Sequence, residues 1–235
     1  MKNNDAHYQA LVHRRGRSRG ASCGYQDRFD PFKLNQSPRV RGLYQRLFST
    51  FLADQPSKSL LDAGCGTGVY FDVLSQFSEH IEAVDSSPEM IRVAREYCKE
   101  TGLTSIHPHV GSAEALAYPD ASFDTVIELD VLHHVRDLGK ALGEIYRVLQ
   151  PGGRFLVFEP NICNPLMFLA HVLPPEERRA LRRNGPGRLK MLLTAYFDVV
   201  RCDWVCELIS ETRGLKNRAI EAYLTLWRVA APVST

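Results

Sequence analysis

The chain has 235 residues, 44% hydrophobic and 24% charged, with a net charge of +2. That length supports one ordinary globular domain with a full core rather than two. The near-neutral charge excludes a global basic field of the kind that draws a protein to nucleic acid.

Charge is unevenly placed all the same. Residues 1–24 hold Lys2, Arg14, Arg15, Arg17 and Arg19 against Asp5, and residues 176–190 hold Arg178, Arg179, Arg182, Arg183, Arg188 and Lys190 against Glu176 and Glu177. The rest of the chain is mildly acidic. The six cysteines form no CxxC pair and no tight framework, which indicates reduced thiols rather than disulfides. Cys202 and Cys206 have the wrong spacing for a metal site, so no metal is expected. The first residues lack the apolar core of a signal peptide, and the run Leu166 to Leu173 is too short to cross a bilayer. No membrane span is expected, and the chain reads as cytoplasmic.

Residues 1–24 are polar and rich in Arg, Gly and Ser, and are expected to form a disordered basic tail. A single domain is expected over residues 25–235. Ser37-Pro38 is a helix start, with a cap before proline at the first helical position. Val40, Leu43, Tyr44, Leu47, Phe48, Phe51 and Leu52 follow at helical spacing. Ser59 to Ala63 is a first strand that runs into Gly64-Cys65-Gly66-Thr67-Gly68. Val69 to Phe77 is expected to be helical, and His80 to Asp85 is a second strand. Ser86 and Glu89 are spaced as a capping box for the next helix. Ser105 to Val110 is a weak strand interrupted by Pro108, which places it at a sheet edge. Phe123 to Leu129 is a fourth strand. A helix through Leu138 to Leu149 ends at Pro151-Gly152-Gly153, and Arg154 to Glu159 is a fifth, fully buried strand. Up to this point strands and helices alternate, which indicates a parallel, doubly wound α/β sheet. Residues 160–195, punctuated by prolines, read as an insertion on the substrate side. Phe197 to Val205 and Tyr223 to Ala230 read as further strands, with a helix at Leu215 to Glu221 between them.

The glycines stand as GxGxG, and Val69 sits where a dinucleotide loop would place its third glycine. Asp62 lies two residues ahead of the first glycine. A carboxylate there repels a pyrophosphate and suits a ligand that brings a positive amine or sulfonium. Asp85 ends the neighbouring strand, where its oxygens accept from ribose hydroxyls. Together the two acids favour S-adenosylmethionine over NAD, and with it the product S-adenosylhomocysteine.

Six blocks in order carry a resemblance: Leu61 to Gly68, Val84 to Met90, Gly111 to Leu116, Phe123 to Val126, Val131 to Val135 and Leu149 to Arg154. They resemble the class I S-adenosylmethionine-dependent methyltransferases, above all the small-molecule type that includes quinone-biosynthesis enzymes. The resemblance covers roughly residues 40–160. It implies a Rossmann-like seven-stranded sheet of order 3-2-1-4-5-7-6, with strand 7 antiparallel and helices on both faces. It implies that Asp62 and the backbone of Gly64, Cys65, Gly66 and Gly68 hold the methionine part, and that Asp85 binds ribose. It sets Ser86 and Met90 near the adenine, Ser112 and Ala113 at the adenine edge, and Glu128 and Leu129 beneath the cofactor. Many relatives have Asp where this chain has Ser112, and a hydroxyl still accepts a hydrogen bond.

Methyl transfer is an in-line displacement at an already activated carbon, so alignment and water exclusion carry most of it. A base is needed only where the acceptor must lose a proton. His133 and His134 are candidates for it, although the pair also suits a role in the fold. Asp130, Glu159 and Asn161 are the candidate substrate residues, since ligands bind beyond the carboxyl ends of strands in open α/β sheets. The 162–195 stretch reads either as a lid over an apolar acceptor pocket, with arginines for a phosphate or carboxylate, or as a buried helix followed by a solvated basic one.

The expected function is methyl transfer to a small-molecule acceptor, with oxygen favoured over nitrogen or carbon. An RNA methyltransferase is the rival reading. The acidic body disfavours it, as does the absence of an NPPY-like tetrapeptide or a Pro-Cys pair where Glu128-Leu129-Asp130-Val131 stands. A non-catalytic S-adenosylmethionine-binding scaffold is the other.

Overall fold

A computed structural model describes residues 29–159, 168, 169, 173 and 175–198. The expected tail at 1–24 and the strands and helix expected beyond residue 198 lie outside the described residues, as do Asn161, Cys23, Cys163, Cys202 and Cys206.

Five parallel strands form one sheet: β1 (Leu60–Ala63), β2 (Ile81–Asp85), β3 (Ile106–Val110), β4 (Phe123–Leu129) and β5 (Leu149–Phe158). Their order is β3-β2-β1-β4-β5, so the proline-bearing β3 is at an edge of the described sheet, as Pro108 requires. The chain reverses direction across the sheet at β1, which seats the ends of β1 and β4 side by side, with Asp62 opposite Ile127.

Among the described residues there are seven helices, and six of them cover the two faces. α1 (Pro31–Leu34), α2 (Pro38–Leu52), α3 (Phe71–Leu74) and α4 (Pro88–Thr101) pack on one face around Phe48, Leu60, Phe71, Ile81, Ile91 and Ile127. α5 (Leu138–Val148) packs on the other around Leu61, Val84, Val126, Leu142 and Ile145. α6 (Pro175–Arg183) and α7 (Pro186–Tyr196) follow β5. Burying these side chains is the main stabilising term, at about 25 cal/mol per Å² of apolar surface.

α2 begins as its sequence indicates: Ser37 Oγ accepts from Val40 N, and Pro38 takes the first helical position. Three expectations need correction. The Ser86–Glu89 box does not form. Pro88 occupies the first turn of α4, so the cap is Ser87, whose Oγ accepts from Met90 N. Glu89 instead holds Arg92 at 2.7 Å. The helix expected over Val69 to Phe77 is only four residues long. Two glycines with positive φ precede it, and Ser75 Oγ and Gln76 Nε2 donate to Asp72 O, bonding the chain locally in place of a longer helix. β5 begins at Leu149, not Arg154. Pro151-Gly152-Gly153 lies inside it as a break in register, between the pairs Phe123–Leu149 and Thr125–Arg154, with Gly152 at φ 76°.

Of the stretch read as an insertion, α7 joins the second face. Leu189 is buried there, and Tyr196 Oη donates to Gly139 O at the start of α5. Among the described residues no helix is long and apolar enough to cross a membrane.

Candidate functional site

The site is built where β1, β2 and β4 end. Beyond Ala63, Gly64 N and Cys65 N both donate to Val84 O of β2, at 2.7 and 3.0 Å. The chain then turns through Gly64, Gly66 and Gly68 at φ 103°, 54° and 80°. These values lie where side chains are strained, and the three glycines differ in what a side chain would meet. A Cβ at Gly64 would stand 2.4 Å from Val131, and one at Gly68 2.5 Å from the Phe71 ring. At Gly66 nothing lies within 4 Å. Gly64 and Gly68 are glycines for packing, whereas Gly66 presents bare backbone to open space.

Asp85 sits against this turn. Its carboxylate accepts from Gly66 N at 3.0 Å and from Ser87 N at 2.8 Å. It therefore ties the glycine turn to the start of α4. Ser86 is exposed beside it, and Met90 is buried with Val93 under Phe29. Ser112 and Ala113 follow β3 and are partly exposed; Ser112 Oγ accepts from Glu114 N. The Cys65 thiol is buried, and burial pushes it well above the ordinary thiol range, so it is a packing group rather than a nucleophile.

Asp62 is 1% exposed, and neither carboxylate oxygen has a hydrogen-bond partner among the described residues. Burial, with the charge of Asp85 adding to it, pushes its carboxyl up to about 8. Glu128 is likewise buried with both oxygens unpartnered. It is raised by burial first, then by Glu159 and Asp62. A buried, unpaired carboxylate is costly unless it stays protonated or meets a cation. The neighbouring Leu129 is buried in the first core. Tyr70, whose phenol is raised by burial with Tyr44, Asp130 and Asp62 adding to it, brings an aromatic ring into the same region.

The acceptor-side candidates lie on the loop after β4. Asp130 has φ 62°, a left-handed value that Asp tolerates better than most residues, and its side chain is 59% exposed. His133 is 2% exposed. Its Nδ1–H donates to Glu159 Oε2 at 2.6 Å, and its Nε2 is 3.9 Å from Asp130 Oδ1. The His134 ring lies 4.0 Å from it, centroid to centroid. Glu159 also accepts from Val131 N at 3.2 Å and Leu132 N at 2.7 Å, so it caps the loop.

Sequence reading missed several contacts. Thr67 Oγ1 donates to Phe29 O, which lays the chain before α1 against the glycine turn. Asn184 is 3% exposed and donates to three carbonyls of the β4 loop. No local pattern marks either, because both contacts join segments far apart in the chain. Val131 as the neighbour of Gly64 is equally invisible. No cluster of His, Cys, Asp or Glu suited to a metal occurs among the described residues.

An adenosine cofactor with a cationic methionine end fits this arrangement. Asp62 is an orphaned acid that a positive group would satisfy, and Gly66 leaves room for a ligand against the main chain.

Comparison with known proteins agrees. A family model described as a methyltransferase domain matches residues 61–157. Norajmaline N-methyltransferase of Rauvolfia serpentina is 30% identical over 182 residues, 75% of this chain and 61% of the relative. The ubiquinone/menaquinone biosynthesis C-methyltransferase UbiE of Vibrio cholerae is 34% identical over 153 residues, 57% of this chain and 58% of the relative. The crystal structure of the YcgJ protein from Bacillus subtilis superposes with a TM-score of 0.54 at 25% identity, covering 66% of this chain and 68% of that one. The chain thus spans less than two thirds of the length of these curated relatives. Residues 61–157 match the methyltransferase domain, and the ordered strand ends, the glycine turn with its two acids and these likenesses support a class I S-adenosylmethionine-dependent methyltransferase.

Proposed function

We propose that this chain binds S-adenosylmethionine and transfers its methyl group to a small-molecule acceptor. The observation that carries the proposal is Asp62, a buried carboxylate with no partner among the described residues, set two residues ahead of the glycine turn that opens at Gly66. In this reading Asp62 and the backbone of Gly64, Cys65, Gly66 and Gly68 hold the methionine end. Asp85 binds ribose. Ser86, Met90, Ser112 and Ala113 line the adenine, and Glu128 and Leu129 form the floor. The domain runs over residues 25–235, with a substrate-side segment at about 160–195 and the seven-stranded order of the family.

When bound, S-adenosylmethionine supplies a methyl carbon activated by its sulfonium. The chain's own part is alignment, exclusion of water and handling of a proton. The pairing of His133 with Glu159, behind the exposed Asp130, supports an acceptor that must lose a proton. That favours a hydroxyl, the atom preferred from the sequence, although the relatives above are named for nitrogen and carbon. His133 is too buried to meet an acceptor first. Asp130 stands in front of it, and His133 with Glu159 receives the proton behind.

The test is calorimetric titration of the chain with S-adenosylhomocysteine. One saturable site is expected, lost or greatly weakened in Asp62→Asn. No binding to the unmodified chain, or unchanged binding to the variant, would overturn the reading.

A further inference from the structure

The loop that carries Asp130 and His133 is held from two sides. Glu159, just past β5, takes its amides: Val131 N at 3.2 Å, Leu132 N at 2.7 Å and the His133 Nδ1–H at 2.6 Å. The end of α6 takes its carbonyls. Asn184 Nδ2 donates to Val135 O at 2.6 Å and shares its other hydrogen between Leu132 O at 3.3 Å and His133 O at 3.4 Å. Arg183 donates to His134 O at 3.0 Å. An anion thus meets every donor the loop turns towards Glu159, and an amide and a guanidinium meet its carbonyls.

The chemistry of this match is specific. Three carbonyls converge on a single amide nitrogen, and the opposite orientation of the Asn184 amide would set its oxygen against all three. Asn184 is 3% exposed, and its amide oxygen has no hydrogen-bond partner among the described residues, so the side chain's bonds all run through its nitrogen. Its sequence neighbours are exposed arginines, which would otherwise suggest a solvated helix. Hydrogen bonds of this kind contribute about 1 kcal/mol each when formed and cost more when a buried group is left alone.

We infer that Asn184, seconded by Arg183, is the positioning residue of the acceptor side. It fixes the loop from Asp130 to Val135 before any ligand arrives, and so holds His133 against Glu159. The end of α6 therefore serves this loop directly, and Arg183 needs no anionic acceptor to explain its place. This rests on the proposed function for its purpose, but not for its test.

The test uses hydrogen exchange and proton NMR on the full chain without cofactor. In Asn184→Ala, exchange at the Val131 and Leu132 amides should rise by about tenfold or more, while amides of β1 and β4 keep their protection. The downfield Nδ1–H resonance of His133, visible while it is held by Glu159, should broaden or vanish, as it must in Glu159→Gln. Unchanged exchange and an unchanged ring resonance would overturn the inference. If Asn184→Ala loses protection throughout, the exposed Arg183→Gln decides: faster exchange confined to the β4 loop supports the clamp, and no change refutes it. S-adenosylhomocysteine affinity of the unmodified chain is read separately. Its absence sinks the proposed function and leaves the clamp standing, whereas unchanged loop exchange does the reverse.

Discussion

Two turns stand side by side at the carboxyl ends of β1 and β4, and they are built by opposite means. The first, Gly64 to Gly68, is made of backbone. Its shape comes from three positive φ values, and its partners, Val84 O and Asp85, lie on the adjacent strand. The second, Asp130 to Val135, contains no glycine. Beyond the positive φ of Asp130 and the backbone bonds from Asp130 N to Phe158 O and from His134 N to Val131 O, it is held by side chains from elsewhere, Glu159 after β5 and Arg183 and Asn184 at the end of α6. A turn that must lie flat under a fixed cofactor can be written locally. A turn that faces a variable acceptor is set by distant residues, which can change without disturbing the cofactor seat.

The two turns meet at one point, where a Cβ on Gly64 would fall 2.4 Å from Val131. Gly64→Val should therefore break both at once. It forces a branched side chain into a left-handed backbone and pushes the second turn off its clamp, at a combined cost of about 3–5 kcal/mol. Denaturant titration should show this as the largest loss of stability in the set. Gly66→Val separates the turns. Its side chain enters open space, so the fold should lose only about 1–2 kcal/mol for the strained φ, while the cofactor isotherm disappears. A normal isotherm would mean the first turn is not the seat. Asp85→Ala lies next. It removes the bonds from Gly66 N and Ser87 N together with the expected ribose contacts, and should weaken S-adenosylmethionine by about 2 kcal/mol or more. His133 should remain held by Glu159, whose bonds to the second turn do not run through Asp85.

This difference also decides what could be read from sequence. β4 was legible residue for residue, and the glycine turn and the place of Asp85 at the end of β2 were legible because each is set by near neighbours along the chain. The edge place of β3 followed from a single missing N–H at Pro108. The cap of α4 was misplaced by one residue, since Pro88 fixes Ser87 as the cap just as Pro38 fixes Ser37. The acceptor turn was legible only as a list of residues. His133 looked like an available base because nothing in Val-Leu-His-His-Val reveals that Glu159, 26 residues on, will bury and hold it. Asn184, in an Asn-Gly-Pro-Gly stretch, looked like punctuation between helices.

The finest distinction between the turns is electrostatic. The first lies by Asp62, which has no partner among the described residues; the second is held by Glu159, both of whose oxygens accept from it, although Glu128 just before that turn is unpartnered like Asp62. Asp62, raised from 3.8 to about 8, keeps its proton in the folded chain over a range where the unfolded chain has lost it. Between those values the folded state binds more protons, so Asp62 alone makes stability fall as pH rises, by at most about 1.4 kcal/mol per unit, and Glu128, raised in the same direction, adds to that fall. Asp62→Asn should remove the first contribution and leave that of Glu128. A cationic ligand reverses the preference: an ammonium placed against Asp62 favours the carboxylate, so binding near neutral pH should release about one proton. Calorimetry in buffers of different ionisation enthalpy measures that number directly. Release of a proton that vanishes in Asp62→Asn but persists in Glu159→Gln would place the cation at the first turn alone; equal release by all three chains would show that neither acid is its seat.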